Sequence, residues 1–313
     1  MKRLSLKLCA AAALAFCATL PAQAQSSVTV YGRLNLTAER QKVGDVSRSV
    51  LQNNSSRIGF KGTEDLGDGM FAGFQLEHGF SADTGAQTQT NFWARQSEVN
   101  LGTKQLGTVR LGNFTSEAYY ATADYVSMHN HDTGTSSDAF YAYVGRNTNK
   151  VSYRTPTLGG FVAEAGVSAG EGAGERSYDL AANWDGGPLH LGAGYEKNGD
   201  ANQFAVRALY ELGAFTLGGY VQRDENAYAA GKRTTVRLAG MYAFGNNELH
   251  LNVGRAGDYS GVAGDSSANQ YTLGFNHKLS KRTKVYGFWT KVADNGTIYG
   301  DFSSFAVGVR HNF

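Results

Sequence analysis

The sequence predicts an all-β protein, a 16-stranded antiparallel transmembrane β-barrel. Three observations predict it. Apolar and polar residues alternate with period two through most of the chain, as in strands with one apolar and one wet face. Short glycine-rich turns alternate with longer polar segments. The chain also stops in mid-pattern: in FAVGVRHNF, Phe305, Val307, Val309, His311 and Phe313 share one side, and Ala306, Gly308, Arg310 and Asn312 the other. Soluble domains more often end in a frayed polar tail. Here the last strand is expected to pair with the first, VTVYGRLNL, closing a ring, with Phe313 in the aromatic girdle at the membrane interface.

The N-terminus is a separate element. MKRLSLKLCAAAALAFCATLPAQAQSS has Lys2, Arg3 and Lys7, a short apolar run, and Ala22-Gln23-Ala24 as a small-x-small cleavage site. Residues 1–24 read as a secretory signal peptide, and 25–313 as the barrel domain. Removing 24 of 313 residues leaves 289. Three of the 29 Lys and Arg and none of the 27 acidic residues leave with it, so the mature chain holds 26 basic against 27 acidic groups. That balance and an exported address exclude a nucleic-acid partner. Cys9 and Cys17 leave too, which removes disulfide and thiol chemistry.

The strands follow in order. Val28 to Leu36, Met70 to Phe80, Tyr178 to Trp184, Phe204 to Tyr210 and Leu249 to Val253 alternate, as do PLHLGAGYEKN and NQYTLGFNHKLS. Tight turns are expected at 66–69, 106–107, 158–160, 186–188, 213–214, 245–247 and 280–282. Longer loops are expected near 41–54, 82–91, 114–147, 171–175, 199–202, 226–232, 260–267 and 294–301. Seven short and eight long connections join sixteen strands. The same alternation would suit a stacked sandwich. Closure is favoured by strands of about 9–11 residues, the span of a tilted transmembrane strand, and by the even count with alternating turn lengths. A closed sheet also satisfies its own hydrogen bonds inside hydrocarbon, and a ring of sixteen strands is wide enough to hold water.

The chain resembles the general diffusion porins of Gram-negative outer membranes, β-proteobacterial type. The resemblance rests on SSVTVYGRLNL (26–36), SSRIGFKGTEDLGDGMFAGFQLE (55–77), WARQSEVNLGTKQLGTVRLGN (93–113), RNTNKVSYRTPTLGGF (146–161) and the terminal FAVGVRHNF. It implies short periplasmic turns, long external loops, an inward-folded third loop and a homotrimer. It also implies that the barrel-assembly machinery reads the terminal strand and its Phe313. The expected setting is the outer membrane, with its lipid and lipopolysaccharide. Asn113 stands where the family often has arginine, and Lys150 where it has a small residue.

The expected function is passive diffusion of small hydrophilic solutes and ions, with a lean to anions and no catalysis, cofactor or metal. Filtering in a pore is electrostatic. The long segment 114–147 is the expected constriction loop, carrying Glu117, Asp124, Asp132 and Asp138. If Ile58 and Phe60 face lipid, Arg57 and Lys61 face the pore, and the same parity turns Arg33, Arg110, Lys150 and Arg154 inward. Arg95 shares the parity of Val99 and Leu101, so a bulge would be needed to turn it in. The resemblance points to Arg57, Arg95 and Arg146 as the basic cluster. A transverse field between acidic loop and arginine wall is the expected filter.

Other patterns read as ordinary loop chemistry. Asp132-Thr133-Gly134-Thr135 and Asp83-Thr84-Gly85-Ala86 echo an aspartic-protease signature in predicted external loops. His129, His131 and Asp132 have ligand chemistry but read as solvated. Gly170, Gly172 and Gly174 lack the helix a dinucleotide loop needs. The alternatives are an outer-membrane barrel enzyme (protease or lipase), which needs a convergent catalytic site at one rim, and a surface adhesin, which would not conduct ions.

Overall fold

The computed structural model describes residues 27–124, 134–172, 174–296 and 298–313. The signal segment 1–24, His129, His131, Asp132 and the side chain of Asp124 lie outside the described residues.

The described residues form seventeen strand segments. The first six are β1 Ser27–Val43, β2 Val46–Asn53, β3 Arg57–Gly67, β4 Met70–Gly79, β5 Gln96–Thr103 and β6 Gly107–Asn113. Next come β7 Lys150–Arg154, β8 Phe161–Ser168, β9 Ser177–Gly186, β10 Leu189–Asn198, β11 Ala201–Leu212 and β12 Phe215–Glu225. The last five are β13 Lys232–Phe244, β14 Asn247–Ala256, β15 Ala268–Lys278, β16 Thr283–Asp294 and β17 Phe302–Asn312. All belong to one antiparallel sheet. β2 and β3 both pair with β1, as two halves of one strand. Ser55 breaks them with a left-handed φ of 56°, and Asn35 bonds across the break to Asn54 O at 3.1 Å and Ser56 Oγ at 3.0 Å. The sheet is therefore a barrel of sixteen strands.

Closure is by β1 and β17, which run from Arg33 opposite Asn312 to Val43 opposite Phe302. Phe313 extends the pairing, exchanging two backbone hydrogen bonds of 3.1 Å with Gly32. A Cβ on Gly32 would lie 2.6 Å from the Phe313 ring.

Burial runs opposite to that of a soluble fold. Val30, Leu238, Leu273 and Phe305 are 53%, 63%, 54% and 61% exposed, while Asn35, Gln203 and Gln222 are 0% exposed. Apolar side chains project outward and polar ones inward, which excludes a sandwich with a dry middle and fits a membrane span. All seven tight turns lie where expected. At the first, Asp68 and Gly69 both take positive φ (51° and 77°), the twist that suits a hairpin.

Two expected loops are shorter than their polarity suggested. In 41–54, β1 runs on to Val43 and β2 starts at Val46, and in 199–202 only Gly199 and Asp200 separate β10 from β11. Their residues are polar because the strands run past the apolar belt into water, and period two persists there without an apolar signal.

Candidate functional site

The described parts of the third loop, 114–124 and 134–147, enter the barrel. The first makes one helical turn, α1 Glu117–Tyr119, continued by a wider turn over Tyr120–Asp124. Ser116 caps α1, its Oγ accepting from the Tyr119 N–H at 3.3 Å and donating to Glu196 Oε1. The second Glu196 oxygen accepts from the Val144 N–H at 3.2 Å and from Gln203 Nε2 at 3.3 Å. One wall carboxylate thus ties together both limbs of the loop.

Inward side chains of β11, β12, β13 and β15 bond further backbone groups of the loop. Arg207 Nε donates to Ala121 O at 2.8 Å and Arg233 Nη2 to Phe140 O at 2.9 Å. Gln222 both accepts from the Ala142 N–H (2.8 Å) and donates to Ala142 O (3.0 Å). Gln270 accepts from the Ala139 N–H at 3.0 Å and donates to Ser137 O at 2.7 Å. A loop inside a barrel must have such partners, because buried amides without them are costly. Space comes from small wall residues: Cβ atoms on Gly192 and Gly194 would lie 2.1 Å and 2.7 Å from the Ala121 and Ala118 oxygens. Tyr141 packs against Ala205, Tyr220 and Ala239, and Phe140 against Ala256, Ala268 and Val292.

Two of the loop's carboxylates, Glu117 and Asp138, turn to the wall behind it. Asp138 Oδ2 meets Arg237 Nε at 2.8 Å and accepts from the Tyr220 hydroxyl, while Oδ1 accepts from the Phe140 N–H at 2.9 Å. Burial alone would raise the Asp138 pKa, but Arg237, Tyr220 and the Phe140 amide hold it below the ordinary aspartate value. Glu117 lies 3.3 Å from Arg110 Nη1 and 2.9 Å from Arg154 Nη1. Burial, then repulsion from Glu164, raise its pKa against the pull of these arginines.

The inward basic residues divide into two sets. Arg110, Lys150 and Arg154 belong to a closed cluster under the loop's root. Arg110 contacts Glu98 at 2.7 Å and Glu164 at 3.1 Å, Lys150 contacts Asp179 at 2.7 Å, and Arg154 contacts Glu164 at 3.6 Å. Phe114 covers Arg110 and Lys150, its ring centroid 4.1 Å from the Arg110 guanidinium carbon and 5.2 Å from Lys150 Nζ, while Arg154 stays partly exposed.

Arg33, Arg57 and Arg95 instead line a cavity of about 650 Å³ between the β1 to β5 wall and the loop. Arg310 joins them from β17. Glu77 is the carboxylate of that lining, 2.6 Å from Arg95 Nε and 3.6 Å from Arg57 Nε. The loop side presents Thr115, Tyr119, Tyr120, Tyr143 and Asn147, none of them charged. Lys61 points inward from β3, its Nζ 5.4 Å from the Tyr31 ring centroid.

Two sequence expectations need correction. Arg95 faces the cavity without a bulge, because it precedes β5 and strand parity does not reach it. Asn113 sets its approach by donating to Trp93 O at 3.2 Å and Ala94 O at 3.0 Å. Arg146 does not join Arg57 and Arg95. Its guanidinium reaches Ala169 O at 3.5 Å beside the loop after β8, because its backbone is held there by Ser177 and Ser168. Opposite the arginines the described loop side chains are tyrosines, a threonine and an amide, while Asp124 and Asp132 of the expected acidic face lie outside the described side chains. Sequence reading missed Arg310 and Glu77 in the cavity lining; Arg310 already carried the pore-side parity of the terminal strand.

The protease-like Asp83-Thr84-Gly85 is an exposed turn closed by the Thr84 and Gly85 amides on Ser81 O at 3.2 and 2.7 Å.

Comparison with known proteins agrees with this architecture. Residues 10–297 match the family model described as Gram-negative porin. Outer membrane porin protein 32 of Delftia acidovorans is 33% identical over 302 residues, covering 85% of this chain and 84% of that protein. An outer membrane porin protein of Bordetella pertussis is 27% identical over 371 residues, covering 93% of this chain and 96% of its own. Among solved structures, the anion-selective porin from Comamonas acidovorans superposes with a TM-score of 0.76 at 27% identity, covering 92% of this chain and all of that one. A closed sixteen-stranded barrel with its third loop folded into the lumen, matched along nearly its whole length, belongs to the Gram-negative porin family of the outer membrane.

Proposed function

We propose that this barrel is a passive channel for small hydrophilic solutes with a preference for anions. One observation carries the preference: among the described residues, four arginines and one glutamate line the cavity, and the loop residues opposite them are uncharged. The net positive field attracts anions, and guanidinium stays charged at any biological pH. The loop supports it indirectly. Glu117 and Asp138, paired with arginines behind the loop, add little negative charge to the path. Solutes cross by diffusion with no bond made or broken, so no residue is assigned a catalytic role.

We also infer a homotrimer. The outer face of β3 and β4 carries an aromatic cap, with Phe92 stacked on His78 at 3.9 Å and Trp93 meeting Phe60 at 6.2 Å. Such a cap suits contact with a second copy better than contact with lipid tails. The Phe313 strand is the segment that the barrel-assembly machinery would recognise.

The test is the reversal potential of the purified chain in a planar bilayer under a KCl gradient. Chloride should carry more current than potassium. A cation-selective channel would overturn the arginine reading, and a barrel without conductance would overturn the channel itself.

A further inference from the structure

The cavity between the arginines and the third loop has two chemically different sides, and charge selection uses only one of them. On the basic side each arginine is held at its ε nitrogen. Arg33 Nε donates to Ser55 O at 3.2 Å and Arg310 Nε to Asn312 Oδ1 at 3.3 Å, while Glu77 lies 2.6 Å from Arg95 Nε and 3.6 Å from Arg57 Nε. Such anchoring places the guanidiniums in advance, so little side-chain freedom is lost when an anion meets them.

The other side is aromatic. Tyr119, Tyr120 and Tyr143 reach the lining from the two limbs of the loop, and Tyr120 is 39% exposed. Tyr119 holds the group together, its ring making edge-to-face contacts of 5.7 Å with Tyr120, Tyr141 and Tyr143. Tyr143 is pinned further, its hydroxyl donating to Asn147 Oδ1 and accepting from the Ser116 N–H at 3.4 Å. A chloride ion gains little from such a face, because the rings offer area and a quadrupole rather than positive charge. A fixed aromatic face beside a cationic one is therefore more than the filtering of simple salts requires.

We propose that this cavity is a selectivity subsite for aromatic carboxylates, of which benzoate is the simplest. The carboxylate lies on the arginine side and the ring against the loop tyrosines. A carboxylate matches the guanidinium fork bidentately, and Glu77 already shows one seated between two of these arginines. The ring meets the tyrosines edge to face or offset, an attraction that a saturated ring of the same outline lacks. Both sides line one volume of about 650 Å³, within the range of about 300–1,000 Å³ typical of small-molecule sites. Affinity stays low, since a permeating solute has to leave again. The inference rests on the proposed anion preference and deepens it by naming the solute class.

The test is block of the KCl current through the purified channel in a planar bilayer at neutral pH, on adding benzoate, cyclohexanecarboxylate or benzyl alcohol. Benzoate should half-block at a concentration about two- to tenfold lower than cyclohexanecarboxylate, which has the same charge and no π system. Benzyl alcohol, aromatic and uncharged, should not block. The Tyr119→Leu, Tyr120→Leu variant should bring the two acids level, and Tyr119→Phe, Tyr120→Phe, which keeps both rings, should retain the difference. Migration in unheated gels identifies folded barrels, and the wild-type comparison stands by itself where a variant does not fold. Cyclohexanecarboxylate blocking as well as benzoate overturns the proposal, because charge and apolar bulk alone would then suffice. Benzyl alcohol blocking as well as benzoate overturns it too, since the arginines would have no part. A benzoate advantage unchanged in the leucine variant takes the ring off the loop and overturns the assignment. Cation preference in a KCl gradient would remove the parent reading and this inference with it. An anion-selective channel without a benzoate advantage loses this inference only.

Discussion

Arg57 is the side chain on which the ion preference can be weighed most directly. It lines the cavity, and Glu77 beside it keeps Arg95 at 2.6 Å after Arg57→Ala. A chloride passing about 5 Å from the guanidinium in a water-like medium gains roughly 0.8 kcal/mol, about fourfold in partitioning. At ~0.1 M salt the Debye length of about 10 Å reduces this to roughly 0.5 kcal/mol, about twofold, and at ~1 M little remains. Arg57→Ala should therefore lower the chloride-to-potassium permeability ratio about two- to fourfold in dilute KCl and hardly at all near 1 M. The assay is the reversal potential across a planar bilayer at both ionic strengths. An unchanged potential in dilute salt, with conductance intact, would refute the reasoning. A shift that persists equally at high salt would also count against it, since a long-range Coulomb effect has to be screened. Glu77→Gln should move the ratio by a similar factor in the opposite direction.

Three further outcomes follow from the loop and the seam. Asp138→Asn leaves Arg237 buried without its anion, a loss of about 3–5 kcal/mol, so hydrogen exchange over 134–143 should accelerate and open-channel noise should rise. The Asp138 pKa is depressed in the fold, so its contribution is present above the ordinary aspartate value and lost as pH falls through the lower folded value; noise should stay flat from neutrality to about pH 5. Gly192→Val places a Cβ 2.1 Å from Ala121 O and should push the loop off the wall, changing single-channel conductance while the barrel still folds. Deleting Phe313 removes two backbone bonds to Gly32 and the ring over it, and should lower the folded fraction in unheated gel electrophoresis; a wild-type yield would show that closure does not depend on that residue.

Period two in the amino-acid sequence determined which residues are strands, how many there are, and which side each side chain takes. It put Ile58 and Phe60 outside and Arg57 inside within four consecutive residues. The signal is strong because a one-residue slip would move a whole face from lipid to water. It failed at 41–54 and 199–202, where both faces of the sheet are in solvent and no apolar face marks the strand.

Parity names a side but not a neighbour across the lumen. Arg110 and Arg57 look alike in sequence, yet one is enclosed among Glu98, Glu117 and Glu164 while the other lines the cavity beside Glu77. Only ring closure brings Arg310 from the last strand into the cavity with Arg33, Arg57 and Arg95. Only the path of the third loop decides that Asp138 meets Arg237 behind it while Tyr119 and Tyr143 face the cavity. Those contacts join residues far apart in the chain, and their partners are chosen by the diameter of the barrel and the bonding needs of a buried backbone. Local alternation carries neither.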